Sequence, residues 1–236
     1  MQENKTTILS TRLLRKESLD EIHAAGISIE EIPFIESISL HTDLLKKQVN
    51  EISQKYASVI FTSARAVEAA MDLLGKKETQ WRIYCTAPQT KKALLNYFPE
   101  DKIAGTAANA SELATLIIEE RPKTEMIFFC GDQHRDELLQ VFKKAETVLK
   151  QVIVYKTELR PVKINNEHDG ILFFSPSAVK SLFQLNKPKK ETVFFAVGET
   201  TATELRAHAG NEVIVADHPS EEWMVKKLAE RFLVRK

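Results

Sequence analysis

Hydroxyl-bearing, cationic and glycine residues recur at five short turns of this chain, each between an apolar run and a stretch of helical periodicity. They are Thr11-Arg12, Thr62-Ser63-Ala64-Arg65, Cys130-Gly131-Asp132, Ser175-Pro176-Ser177 and Gly198-Glu199-Thr200-Thr201. The first N–H groups of a helix have no partner within it and sit at its positive dipole end, so such turns suit anions. For any one turn the plainer reading is a Ser or Thr N-cap, since those residue types are preferred there. All of them facing one cleft would go beyond capping. Tyr155 closes the alternating run Val152-Ile153-Val154-Tyr155-Lys156-Thr157. It reads either as a strand tyrosine with its hydroxyl at the surface or as a donor at the mouth of a cleft.

Other chemistries lack their residues. No G-x-G-x-x-G follows a strand, no G-x-x-x-x-G-K-[ST] occurs, and seven glycines in 236 residues argue against a pyrophosphate cradle. G-x-S-x-G is missing as well, so a hydrolase elbow is not expected. The histidines (His23, His41, His134, His168, His208, His218) are scattered, and Cys130 with His134 lacks further converging ligands, so no metal is expected. His134 and Arg135 read as a helix start near solvent. Lys plus Arg and Asp plus Glu both number 33, which argues against a nucleic-acid partner and leaves anion capture to local donors. No apolar run approaches the roughly 18–20 residues of a membrane span, and residues 1–5 resemble no signal peptide. Cys85 and Cys130 lie in apolar runs, which suggests buried thiols and a reducing cytoplasm.

Positioning these turns requires alternating strands and helices. The pattern runs from a strand at Thr7–Thr11 through strands near Ile27, Phe34, Phe61, Ile83, Ile103, Phe128, Val152, Phe173, Phe194 and Val213. Helices fall between most of them, including Thr90–Phe98, Thr201–His208 and a last one marked by Trp223, Val225, Leu228 and Phe232. Such alternation predicts parallel sheets covered by helices on both faces. Val59-Ile60-Phe61-Thr62-Ser63 with Ala66-Val67 repeats as Leu172-Phe173-Phe174 and Ser175 with Ala178-Val179, and Thr86 to Leu94 matches Val197 to Leu205, with Thr90 on Thr201. The expected fold is α/β: two doubly wound parallel-sheet domains related by an internal repeat and joined by a two-stranded linker. Residues 1–37 with 157–236 form one, discontinuous domain; residues 38–156 form the inserted one.

In order and spacing, these pieces resemble the uroporphyrinogen-III synthase family over essentially the whole chain. Leu9-Ser10-Thr11-Arg12, Ile60 to Ser63 with Arg65 to Ala69, Gly131-Asp132 with Arg135 and Leu138, Val154 to Thr157, Phe173 to Ser177 and Val197 to Thr201 carry the resemblance. It implies a cofactor-free lyase that closes linear hydroxymethylbilane to uroporphyrinogen III, with ring D inverted and water lost, in a cleft between the domains. A pyrrole lone pair would expel the hydroxyl to an azafulvene, and attack by the substituted carbon of ring D would give a spiro intermediate that fragments and recloses.

The resemblance makes Tyr155 the residue assisting departure of the hydroxyl, with Thr90 and Thr201 as catalytic partners. Thr11, Arg12, Thr62, Ser63, Arg65, Gly131, Asp132, Ser175, Ser177, Gly198 and Thr200 would hold the substrate's acetate and propionate groups. It further implies a cytoplasmic monomer, a linear tetrapyrrole as small-molecule partner, transient contact with the preceding pathway enzyme, and neither nucleic acid nor membrane. Two departures stand out. Thr86-Ala87-Pro88 replaces the Val-Gly that usually begins the turn before Thr90, and no glycine follows the helix at Lys143 to Glu146. The alternative is a bilobal module of the same fold that binds an anionic tetrapyrrole, or another small anion, without turning it over.

Overall fold

The repeated turn folds the same way twice. Ser63 and Ser175 are both extended, and their hydroxyls accept from the N–H of Ala66 and Ala178, each at 3.1 Å, to cap the helices that follow. Pro176 then occupies the first helical turn, where its missing N–H costs nothing. In the computed structural model, which describes residues 6–133 and 137–233, the other elements alternate around these two. Residues 1–5, His134 and Arg135 lie outside the described residues.

The chain opens with β1 (Thr7–Ser10), α1 (Lys16–Ala24), β2 (Ser28–Glu31) and β3 (Ile35–Ser39). Next come α2 (Asp43–Ser53), β4 (Ala57–Phe61), α3 (Ala64–Leu74), β5 (Trp81–Thr86), α4 (Gln89–Leu94) and β6 (Ile103–Ala107). They are followed by α5 (Ala110–Glu120), β7 (Glu125–Gly131), α6 (Glu137–Lys144) and β8 (Lys150–Leu159). The rest is β9 (Gly170–Phe173), α7 (Pro176–Leu185), β10 (Val193–Ala196), α8 (Glu199–His208), β11 (Val213–Val215) and α9 (Glu221–Leu233).

Two compact units result, Met1–Glu36 with Glu158–Lys236 and Ser37–Thr157, and the chain passes between them within β3 and again within β8. The first unit holds a five-stranded sheet in the order β11-β10-β9-β1-β2. β1 pairs in parallel with β2 and β9, and β10 pairs in parallel with β9 and β11. The second holds a six-stranded sheet in the order β3-β8-β7-β4-β5-β6, with β4 parallel to β5 and β7. The order of connection reverses between β1 and β9 in the first sheet and between β4 and β7 in the second. Those are the crevices where open α/β sheets bind ligands, beyond the strands' carboxyl ends.

Alternation along the strands produces two cores per sheet. Leu9, Ile171, Phe173 and Phe194 pack with Val179 and Leu205 under α7 and α8, while Ile8, Leu172 and Phe195 pack with Ile22, Met224 and Leu228 under α1 and α9. In the other unit Val59, Phe61, Ile83 and Phe129 meet α2, α3 and α4, and Ile60, Tyr84 and Phe128 meet α5 and α6. A strand buried on both faces needs a continuous apolar run rather than alternation with polar residues, which is why Ala57–Phe61 and Gly170–Phe173 are buried throughout. Each fully buried aliphatic or aromatic side chain there contributes about 1.5–3 kcal/mol.

Two local expectations change. The helix expected at Thr90–Phe98 is regular only over Gln89–Leu94. Its end tightens through Asn96 N–H to Ala93 O and Tyr97 N–H to Leu94 O, because Pro99 disfavours helical geometry at Phe98. At the end of α6, Glu146 takes the left-handed conformation (φ 52°) that a glycine would normally supply, and Thr147 N–H closes the turn on Phe142 O.

Candidate functional site

At the carboxyl ends of β4, β5, β6, β7 and β8, the 37–157 unit contains a cavity of ≈ 490 Å³. Thr62, Ser63, Thr90, Asn109, Gly131 and Tyr155 are among the residues that line it. α3 and α5 both start at it, capped by Ser63 and by Asn109, whose side-chain oxygen accepts from Glu112 N–H at 2.9 Å. Among the described residues, the lining side chains include no lysine or arginine. Its described lining offers hydroxyls, amides and helix N-termini to an anion. Thr90 is 4% exposed, and its hydroxyl lies 3.0 Å from that of Thr86.

Tyr155 is set into this cavity by the backbone beneath it. The β7–β8 register shifts between Cys130 and Gly131, so that Cys130 pairs with Ile153 but Gly131 pairs with Tyr155. Such a bulge re-aims the side chains after it. Val152 and Val154 point to one core by simple alternation, and the shift brings Tyr155 against that same core. Its ring lies directly on Gly131, where an added Cβ would fall 2.4 Å from Tyr155 Cζ. The Tyr155 and Ser63 hydroxyl oxygens are 3.5 Å apart, the long end of hydrogen-bonding distance. The tyrosine is only partly buried and forms part of the cavity lining.

The other sheet's carboxyl end is organised by charge. Arg12 follows β1, with its Cζ 3.9 Å from the centroid of the Phe174 ring and Nη2 donating to Glu221 Oε2 at 2.7 Å. Glu221 also accepts from Arg15 N–H at 2.9 Å and from Arg15 Nε at 3.3 Å. Burial pushes the Glu221 carboxyl up, but hydrogen bonds from Ser18 and Arg15 and the charge of Arg12 outweigh it and hold it below its ordinary value. Burial lowers Arg12, opposed by Glu221, and with a normal value above 12 the guanidinium stays charged. Arg12 and Arg15 thus share the Glu221 carboxylate, and Glu31 at the end of β2 accepts from Leu14 N–H between them.

The structure assigns the sequence-derived residues different tasks. Thr11 is fully buried, and its hydroxyl donates to Leu172 O at 2.8 Å, so it ties β1 to β9. Ser63 and Ser175 are caps as well as strand-end hydroxyls, and Ser177 lies in the first turn of α7. Arg65 is exposed and pairs with Glu68 at 3.0 Å, a surface contact that an anion can displace at little cost. Gly198 is extended (φ 179°) with open space where a Cβ would stand, Thr200 is exposed, and Thr201 is buried at the start of α8. Asp132 is exposed but spends its side chain on Thr157 N–H at 2.9 Å. Sequence reasoning missed Glu221, Asn109 and the role of Thr86. An Asn just ahead of an apolar-periodic stretch was a readable cap signal, whereas nothing local ties Glu221 to Arg12.

Among the described residues, no group of three or more His, Cys, Asp or Glu side chains could hold a metal, and no helix is long and apolar enough to cross a membrane. Cys85 and Cys130 are buried free thiols, pushed up to about 11 and about 12 by burial. Neither is an available nucleophile near neutral pH.

A family model described as uroporphyrinogen-III synthase HemD matches residues 16–226. The chain belongs to the uroporphyrinogen-III synthase family. The family's reaction, cyclisation of hydroxymethylbilane to uroporphyrinogen III, is the enzymatic function of this chain, and the non-catalytic module is not favoured. Solved members share the fold. The uroporphyrinogen-III synthetase from Helicobacter pylori superposes with a TM-score of 0.68 at 17% identity, over 96% of this chain and 99% of that one. A mutant uroporphyrinogen III synthase from the extremely thermophilic bacterium Thermus thermophilus gives 0.59 at 15% identity, over 98% and 100%. No curated protein matches in a direct sequence comparison.

Proposed function

We propose that the chemical step of this synthase is carried by the 37–157 unit, with Tyr155 as hydrogen-bond donor or general acid to the departing hydroxyl of hydroxymethylbilane. The observation that carries the reading is the placement of Tyr155: a bulge, a glycine and a neighbouring serine hold its ring at the rim of a 490 Å³ cavity. The pyrrole lone pair expels the hydroxyl, which takes a proton from Tyr155 and leaves as water. Ring D's substituted carbon attacks the azafulvene, the spiro intermediate fragments and recloses, and loss of a ring proton restores the last pyrrole. That proton balances the one given to water. Thr62, Ser63, Thr90 and Gly131 shape the pocket, while Arg12, Arg65, Ser175, Ser177, Gly198, Thr200 and Thr201 offer donors to the substrate's carboxylates. Fixing those carboxylates folds the flexible chain so that the inverted closure is favoured.

Two free, buried cysteines support a reducing, cytoplasmic location for the chain, which we take to act as a monomer. A transient contact with the enzyme that supplies hydroxymethylbilane fits the chemistry, since the free linear molecule closes unassisted to isomer I. Tyr155→Phe tests the assignment. Turnover is expected to fall about 100-fold, the lower end of general-acid effects because the lone pair already drives expulsion. KM and thermal midpoint should move little. Wild-type turnover in Tyr155→Phe would remove the tyrosine from the reaction.

A further inference from the structure

We infer that Asp132 is a positioning residue for Tyr155 rather than a ligand of the substrate, an inference that rests on the assignment of Tyr155 above. Asp132 grips β8 at the tyrosine itself and two residues beyond it. Its backbone N–H donates to Tyr155 O at 3.1 Å, and its Oδ1 accepts from Thr157 N–H at 2.9 Å. These bonds follow directly after the register shift at Cys130/Gly131, where regular pairing between β7 and β8 gives out. A bulge leaves one residue of the longer strand unpaired, and the next ladder position needs another partner if the strand is to keep its new orientation. Asp132 supplies that partner to both neighbours of Lys156.

Two further facts point the same way. Gly131, the residue before Asp132, leaves room for the Tyr155 ring, so one dipeptide provides both the seat and the clasp. The substrate is a polycarboxylate, and a carboxylate already accepting a backbone N–H is a poor ligand for another anion. A β8 strand released from Asp132 would be free to slip back toward simple alternation, which sends Tyr155 to the other face of the sheet.

The test compares Asp132→Asn, which keeps an acceptor for Thr157 N–H, with Asp132→Ala, which does not, each alone and with Tyr155→Phe. The alanine variant is expected to lose about tenfold in turnover with KM within about twofold, since misplacing a reacting group by about 1 Å costs up to 100-fold. The asparagine variant is expected to keep at least half of wild-type turnover. Adding Asp132→Ala to Tyr155→Phe should cost nothing further, because the clasp would then hold a ring without its hydroxyl. A 3-fluorotyrosine label at position 155 should shift its ¹⁹F resonance in Asp132→Ala and keep it in Asp132→Asn. That readout decides positioning even where Tyr155→Phe itself retains full turnover and the catalytic assignment fails. Should the alanine variant not fold, Asp132→Ser, with a shorter acceptor, is expected between the other two in both turnover and resonance. Equal losses in the asparagine and alanine variants, additive losses with Tyr155→Phe, or an unmoved resonance in Asp132→Ala would each overturn the inference.

Discussion

At the carboxyl end of the 37–157 sheet, a serine-capped helix opens onto a cavity lined by Tyr155, with no lysine or arginine among the described lining residues. At the carboxyl end of the other sheet, a serine-capped helix stands beside a guanidinium stacked on Phe174 and fixed by a buried glutamate. Both grow from the same strand–turn–helix element, down to the serine cap closing on an alanine N–H three residues on. What differs is the material added around it. One unit has a bulge, a glycine and a neighbouring hydroxyl, which place a phenol. The other gained Arg12, Arg15 and Glu221, which place charge without a phenol. A repeated scaffold thus supplies capped helix starts twice, and on the proposed assignment the residues around them divide positioning of carboxylates from the chemical step.

The sharpest way to break this comparison is at the glycines. Gly131→Ala should lower turnover about 100-fold with a smaller change in KM, since its Cβ would stand 2.4 Å from the Tyr155 ring and must displace it. Gly198→Ala meets open space and an unstrained backbone. Its expected effect is a rise of a few-fold in KM, where a carboxylate is crowded. Equal effects on turnover would mean that the chemistry is shared evenly between the units.

Arg12→Ala comes next. Loss of one charge-assisted hydrogen bond, about 1.5–3 kcal/mol, predicts a tenfold or larger rise in KM with turnover less affected. A fall confined to turnover would place Arg12 in the chemical step and undo the division.

Smaller effects belong to stability. Ser63→Ala and Ser175→Ala should each cost about 1 kcal/mol in chemical denaturation, as equivalent caps do, with only Ser63→Ala adding a substantial turnover defect through its contact with Tyr155. Glu221 gives a pH signature specific to its own unit. Its folded value lies below the ordinary 4.5, so the stability it contributes is complete above that pH and is lost as pH falls through the folded value. Glu221→Gln should therefore flatten the acid limb of the unfolding curve below about pH 4.5 without steepening it elsewhere.

Much of the scaffold was legible because it is written locally. The caps at Ser63 and Ser175, the apolar runs of β4 and β9 and the helix after Pro176 each depend on residues within a few positions of one another. The short α4 was misjudged because periodicity through Phe98 outweighed the restriction that Pro99 imposes on its predecessor. Tyr155 was recognised as a candidate, but its aim was not readable. Alternation along Val152–Thr157 assigns it to one face, and only the register of β8 against β7 reveals the bulge that turns it. Arg12 and Glu221 are 209 positions apart, and no spacing rule connects them. Asp132 shows a related limit. The resemblance put it among the residues holding the substrate, whereas its bond to Thr157 becomes visible only when β8 is laid alongside β7.

The most direct measurement is the isomer composition of the product. Freshly generated hydroxymethylbilane is incubated with the protein, the porphyrinogens are oxidised, and the uroporphyrin isomers are separated. Predominantly isomer III is expected from the intact chain, with a shift toward isomer I in Tyr155→Phe as unassisted closure overtakes the slowed enzyme. Isomer I alone from the intact chain would contradict the function assigned to it.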